Sequence, residues 1–340
     1  MKNVKNIISL VLVIVFAVFV SNYEENTQAA NMSVPMVSVS GESFGVKMHT
    51  AGVLIISTGE VKTEKGVETP AKNLGLNAGD LITEINNKKV KSCAEVSQII
   101  EKSQGKELII TFERNSQKKS VSLRPVLSED SGTYKAGLWI RDSSAGIGTV
   151  TFYKKGGEFA SLGHGVNDVD THTLLPLDNG EAMSSDIIGF SRAEKGKAGE
   201  LYGVLGSDKI GDIKLNTENG VYGKTNADLS KRQFIPTASA KQIKRGKATL
   251  LTTIDGEGVK EFEVNISFIS RFSTSSKDMI IKVTDKALLQ KTGGILQGMS
   301  GSPIIQNGRF VGALTHVFLN KPDMGYAIFG YKMVNIASQM

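Results

Sequence analysis

A serine bracketed by glycines, Gly298-Met299-Ser300-Gly301-Ser302-Pro303, runs directly into the apolar pair Ile304-Ile305. That order dictates a tight turn feeding a strand. The glycines permit backbone angles closed to other residues, so a hydroxyl can stand out from the turn. They also let amide N–H groups converge beside it, the arrangement that holds a developing oxyanion. Ser300 is therefore the candidate nucleophile, and the amides of Gly298 and Ser300 are the candidate oxyanion donors. Ser302 competes for the first role but precedes a proline and lacks a glycine on both sides. A nucleophilic serine needs a base. Upstream, Ser161-Leu162-Gly163-His164-Gly165 holds a histidine among small residues, which makes His164 the candidate. His316, on the strand expected after the serine turn, is its rival; His49 and His172 read as surface positions.

The acid that would orient this base is open. Asp285 ends the run Ile281-Lys282-Val283-Thr284 before a short helical stretch, and could equally cap that helix. Asp168 and Asp170 lie near His164 in sequence and could equally be turn residues.

At 340 residues the chain is long enough for two domains. From residue 127 onward, short apolar runs recur between Gly, Asn and Asp clusters: 136–140, 148–153, 187–190, 249–254, 262–269, 279–283 and 310–315. That rhythm predicts an all-β sandwich or barrel. The net charge of +6 comes from scattered lysines and arginines, which argues against nucleic-acid binding. Cys93 is the only cysteine, so no intrachain disulfide can form, and with four histidines it makes a poor ligand inventory. No metal and no cofactor is expected.

Residues 1–30 carry Lys2 and Lys5, an apolar run from Ile7 to Val20, and the small residues Ala29-Ala30. This is the pattern of a signal peptide or an N-terminal membrane anchor, placing the body of the chain outside the cytoplasm. Residues 37–126 read as a compact α/β module. Within it, Asn86-Asn87 predicts a hairpin turn, and Ser92 with Glu95 predicts a capped helix. The string Pro70-Ala71-Lys72-Asn73-Leu74-Gly75-Leu76-Asn77-Ala78-Gly79-Asp80-Leu81-Ile82, followed by Ile85-Asn86-Asn87-Lys88-Lys89-Val90, resembles the PDZ domains of bacterial proteases. Such domains bind extended peptides at a sheet edge. The resemblance puts the carboxylate-binding loop at Ser43-Phe44-Gly45-Val46.

From Tyr134 onward the chain resembles the stage IV sporulation protein B serine peptidases. The likeness rests on 137–152, on Leu162-Gly163-His164, on Asp285, and above all on Thr292-Gly293-Gly294-Ile295-Leu296-Gln297-Gly298-Met299-Ser300-Gly301-Ser302-Pro303. It implies a chymotrypsin-like double β-barrel over 127–340 and a triad of His164, Asp285 and Ser300. Asp285 stands much closer to the serine than the acid of chymotrypsin does, which also allows a Ser–His dyad. The resemblance further implies a protease acting between mother-cell and forespore membranes. Its substrates would be itself and a regulator of a membrane-embedded metalloprotease, in a pathway that activates a sporulation sigma factor. The alternative is a non-catalytic, PDZ-containing envelope scaffold or binding protein.

Overall fold

The computed structural model describes residues 34–340, so the segment read as a signal peptide or anchor lies outside the described residues. Strands β1 (Met36–Val39) and β2 (Ser43–Thr58) come first. A small module follows: the hairpin β3 (Val61–Thr63) and β4 (Gly66–Glu68), the one-turn helix Pro70–Asn73, β5 (Leu81–Ile85), β6 (Lys88–Lys89), the helix Cys93–Lys102, and the hairpin β7 (Leu108–Arg114) and β8 (Gln117–Leu123). The short pair β9 (Val126–Leu127) and β10 (Tyr134–Lys135) closes it.

Local chemistry explains these elements. Asn86 and Asn87 adopt φ of 51° and 61°, the left-handed angles a two-residue hairpin turn requires, and Ile85 pairs with Lys88 across them. Ser92 and Glu95 form the expected reciprocal capping box at the start of Cys93–Lys102. That helix buries Val96 and Ile100 against Ile82, Ile85, Ile110 and Phe112. Asp80 is buried, and its carboxylate takes the Arg114 guanidinium at 2.6 Å and the Asn77 amide at 2.8 Å, so a buried charge is fully paired.

The remainder is two barrels. β11 (Leu138–Tyr153), β12 (Glu158–Ser161), β13 (Leu177–Ser191), β14 (Gly199–Thr217) and β15 (Gly220–Thr225) join β2 in the first. β2 pairs with β11, β11 with β12, β12 with β15, β15 with β14, β14 with β13, and β13 returns to β2. Alternation along β2 aims Phe44, Val46 and Met48 into the core, where they meet Val150, Phe159, Ala182 and Val221. β16 (Ile235–Pro236) extends β1. The second barrel contains β17 (Gly246–Thr253), β18 (Val259–Ile269), β19 (Met279–Val283), β21 (Pro303–Gln306), β22 (Arg309–Phe318) and β23 (Lys321–Phe329), closing in the order β17-β18-β19-β23-β22-β21. The two-residue β20 (Leu296–Gln297) pairs with β14 of the first barrel. The C-terminal helix Gly330–Ala337 packs Met333 and Val334 among Phe152 and Ala160 of one barrel and Phe310 and Ile328 of the other.

The expected α/β PDZ-like domain and double β-barrel are both present. Their seam differs from a cut at residues 126–127. β2 crosses it: its first half is barrel wall, while Val53 and Leu54 pair with β5 of the module. β11 runs alongside β2 for nearly its full length, from Leu138 opposite Thr58 to Thr149 opposite Ser43. The module is thus inserted between two strands of the first barrel, and those strands pass continuously from one to the other.

Candidate active site

The serine turn is built as its glycines require. Gly298 and Gly301 have φ of 94° and 97°. A Cβ on Gly301 would fall 2.2 Å from the Thr149 carbonyl oxygen and 2.5 Å from the Leu162 amide, so only glycine fits between the nucleophile turn and the histidine loop. β11 holds the turn from the other barrel. The Thr149 amide donates to the Ser300 carbonyl at 3.1 Å, and the Thr149 and Thr151 hydroxyls donate to the carbonyls of Gly298 and Gly301 at 2.9 and 2.7 Å. The amides of Met299, Gly301 and Ser302 are spent on Leu296, Leu314 and Met299 carbonyls. The Gly298 and Ser300 amides do not join that network among the described residues.

Ser300 and His164 line one cleft of about 580 Å³, together with Gly298, Ile147, Val166, Ile295, Thr315 and His316. The Ser300 hydroxyl donates to the Thr315 carbonyl at 2.6 Å. The His164 ring lies 4.7 Å from that of His316, the residue after Thr315, at an interplanar angle of 37°. Its Nδ1 is 2.8 Å from the Gly165 carbonyl oxygen. A carbonyl can only accept, so Nδ1 carries the proton and Nε2 is the basic atom. Burial pulls the His164 pKa below the ordinary 6.5, partly offset by the Gly165 carbonyl. His316 keeps surface open to solvent but is pushed down to about 4 by desolvation, then by His164 and Lys277.

Gly163 has φ of 70°, and a Cβ there would press on Thr315 and Ile328; Leu162 is held at φ of 64°, a strained angle for a non-glycine. The histidine loop is therefore seated against β22 and β23. Ser302, by contrast, is fully buried, its hydroxyl 2.8 Å from Thr252 Oγ1 and 2.6 Å from the Met299 carbonyl. It braces the turn and has no access to the cleft.

The other expected site residues stand elsewhere. Asp285 is the N-cap of the helix Lys286–Thr292: its carboxylate accepts from the Leu288 amide at 2.9 Å, and it does not line the cleft. Asp168 is buried and engaged by Arg141 and by the amides of Asp170 and Thr171. In this conformation the group on His164 Nδ1 is a backbone carbonyl. Ser43-Phe44-Gly45-Val46 is not a peptide-binding loop. Phe44 is fully buried and pairs with Gly148 on one side and Ser184 on the other. A strand with both edges paired cannot accept a further strand. Phe44→Ala is expected to destabilise the fold by about 3–5 kcal/mol, read as a lower guanidinium midpoint.

A cleft of about 530 Å³ opens between Ser97, Ile100 and Glu101 of the module's helix and Ala136–Ile140. Here β11 is paired to β2 on one edge alone. Ala136-Gly137-Leu138 borders the cleft, with Gly137 at φ of 68°.

Residues 132–334 match the family model described as SpoIVB peptidase S55, and residues 65–114 match that of a PDZ domain. The chain belongs to the SpoIVB peptidase S55 family. It is a serine peptidase with a PDZ domain and a trypsin-like double-barrel protease domain. Among solved structures, this S55 peptidase is similar to the PDZ domain of an SdrC-like protein from Listeria monocytogenes, at 27% identity over 26% of this chain and 87% of that one, with a TM-score of 0.22. It is similar to a protease from M. tuberculosis in its active form, at 13% identity over 56% of this chain and 72% of that one, with a TM-score of 0.36. A serine endoprotease from Yersinia pestis matches at 16% identity over 57% of each chain, with a TM-score of 0.34.

Proposed function

We propose that Ser300 and His164 carry out peptide hydrolysis through an acyl-enzyme. The observation that carries the reading is their convergence in one cleft from loops of different barrels, with β11 bracing the serine turn. The Ser300 hydroxyl turns from the Thr315 carbonyl toward His164 Nε2, which takes its proton as Oγ attacks the substrate carbonyl. The Gly298 and Ser300 amides hold the oxyanion. The imidazolium returns the proton to the leaving amine, and water then cleaves the ester. The Thr315 carbonyl, once released, is free to accept an N–H of an extended substrate. Thr315 and His316 fall in the register break between Leu314 and Val317, and β21 ends opposite Ala313, which leaves backbone there for such pairing.

Asp285 acts as a helix cap in this reading, and the imidazole is oriented by the Gly165 carbonyl. Asp285→Ala is expected to cost about 1 kcal/mol of stability and less than about tenfold in the rate of fluorophosphonate labelling. A loss of several orders of magnitude would return Asp285 to the role of acid in a rearranged conformer. The family resemblance supports self-cleavage and cleavage of a membrane-associated regulator during sporulation, outside the cytoplasm. The mature N-terminus of wild type and of Ser300→Ala, compared by mass, tests self-cleavage: identical termini would contradict it.

A further inference from the structure

The loop after His164 forms one wall of the cleft. His164, Gly165, Val166, Asn167 and Val169 face it, while Asp168 turns the other way and is fully buried. Asp168 organises the loop around itself. One carboxylate oxygen accepts the amides of Asp170 and Thr171 at 3.1 and 2.9 Å; its own amide donates to Thr173, and its carbonyl takes the His172 amide. The other oxygen accepts Arg141, whose second nitrogen reaches Asp170 at 2.7 Å. Burial alone would raise the Asp168 pKa, but the Thr171 amide, the Arg141 guanidinium and the Asp170 amide outweigh it and hold the carboxyl below its usual range. The carboxylate is therefore ionised at neutral pH and meets Arg141 as a charged pair.

Arg141 stands on β11, where a bulge between Arg141 and Ser143 re-aims the strand. Farther along the same strand, Thr149 and Thr151 grip the serine turn. We propose that Arg141 and Asp168 form a positioning pair that fixes the His164 loop to β11, so that one strand sets the placement of base relative to nucleophile. The inference rests on the Ser300–His164 reading above. Neither residue touches substrate; both act through the loop.

The test is inactivation of the full chain by a fluorophosphonate, corrected for the folded fraction, beside an NMR titration of the His164 imidazole. Asp168→Asn and Arg141→Met are expected to slow inactivation about tenfold or more, since a displacement of roughly 1 Å at a reacting pair costs that much. Arg141→Lys keeps the charge and is expected to recover part of the rate. Loosening the loop hydrates His164, so its titration moves up toward 6.5 in the slow variants. His316 and, beyond it, Lys277 are the charged or titratable groups acting on this ring pair, and neither is altered by the substitutions. Inactivation within about twofold of wild type, or a slow variant with an unmoved titration and no rescue by lysine, overturns the proposal. Should Asp168→Asn and Arg141→Met both prevent folding, Asp170→Asn tests it at the half-exposed partner, where an unchanged rate and titration overturn it. If the wild type itself resists the label, the nucleophile reading falls, and the His164 titration still decides the positioning pair.

Discussion

Ser300→Ala is expected to lower peptide hydrolysis by roughly 10⁶-fold while leaving the protein folded, the loss that follows removal of a serine nucleophile in this mechanism. The fold should tolerate it because Ser300 is only half-buried and its hydroxyl makes one hydrogen bond, to the Thr315 carbonyl. Losing such a bond costs about 1 kcal/mol. Ser302→Ala gives the opposite signature. Its hydroxyl is sealed between Thr252 and the Met299 carbonyl, so the substitution leaves a buried acceptor short of a donor and lowers stability by about 1–3 kcal/mol. Turnover per folded molecule should fall far less than in Ser300→Ala. Thermal unfolding and steady-state hydrolysis, measured on both variants, separate the two. Comparable losses of turnover would mean that the turn, rather than one hydroxyl, is what matters.

His164→Ala is expected to cost on the order of 10⁴–10⁶-fold in kcat/KM, because the serine then has no proton acceptor. His316→Phe should retain most activity, since an aromatic ring still packs against His164. If instead His316→Phe silences the enzyme and His164→Ala does not, the base is misassigned. The pH dependence follows from the directions of the two shifts. His164 titrates below 6.5, so kcat/KM holds at neutral pH and falls only on the acid side of that value. The same depressed pKa values have a consequence for stability. Below 6.5 the unfolded chain binds protons that the native rings refuse, so their contribution is complete above that pH. It declines as pH falls below 6.5 toward about 4, where His316 protonates.

Much of this architecture was legible because its signals are local. Asn86-Asn87 needs left-handed backbone, Ser92 and Glu95 need only each other, and the run Met279–Val283 alternates cleanly into a barrel core. β14 left no such trace. Its nineteen residues carry Gly203, Gly206 and Gly211 among charges, and Tyr202, Val204 and Leu205 stay exposed, so alternation does not mark it; its pairing with β13 defines it. The PDZ resemblance was what misled at Ser43–Val46, where a strand of the first barrel carries a Phe-Gly-Val string at the position expected of the loop. The two catalytic candidates were readable from glycines that admit close backbone approach. The acid was not, because Asp285 satisfies a helix terminus nearby, and what faces His164 Nδ1 is a carbonyl, which every residue possesses.

The most direct measurement is peptide mapping by mass spectrometry of the full chain after reaction with a fluorophosphonate. A single phosphonyl adduct on Ser300, absent from His164→Ala over the same interval, is the predicted result. An adduct on Ser302 or on another serine, or unlabelled enzyme that still hydrolyses peptides, would contradict the account.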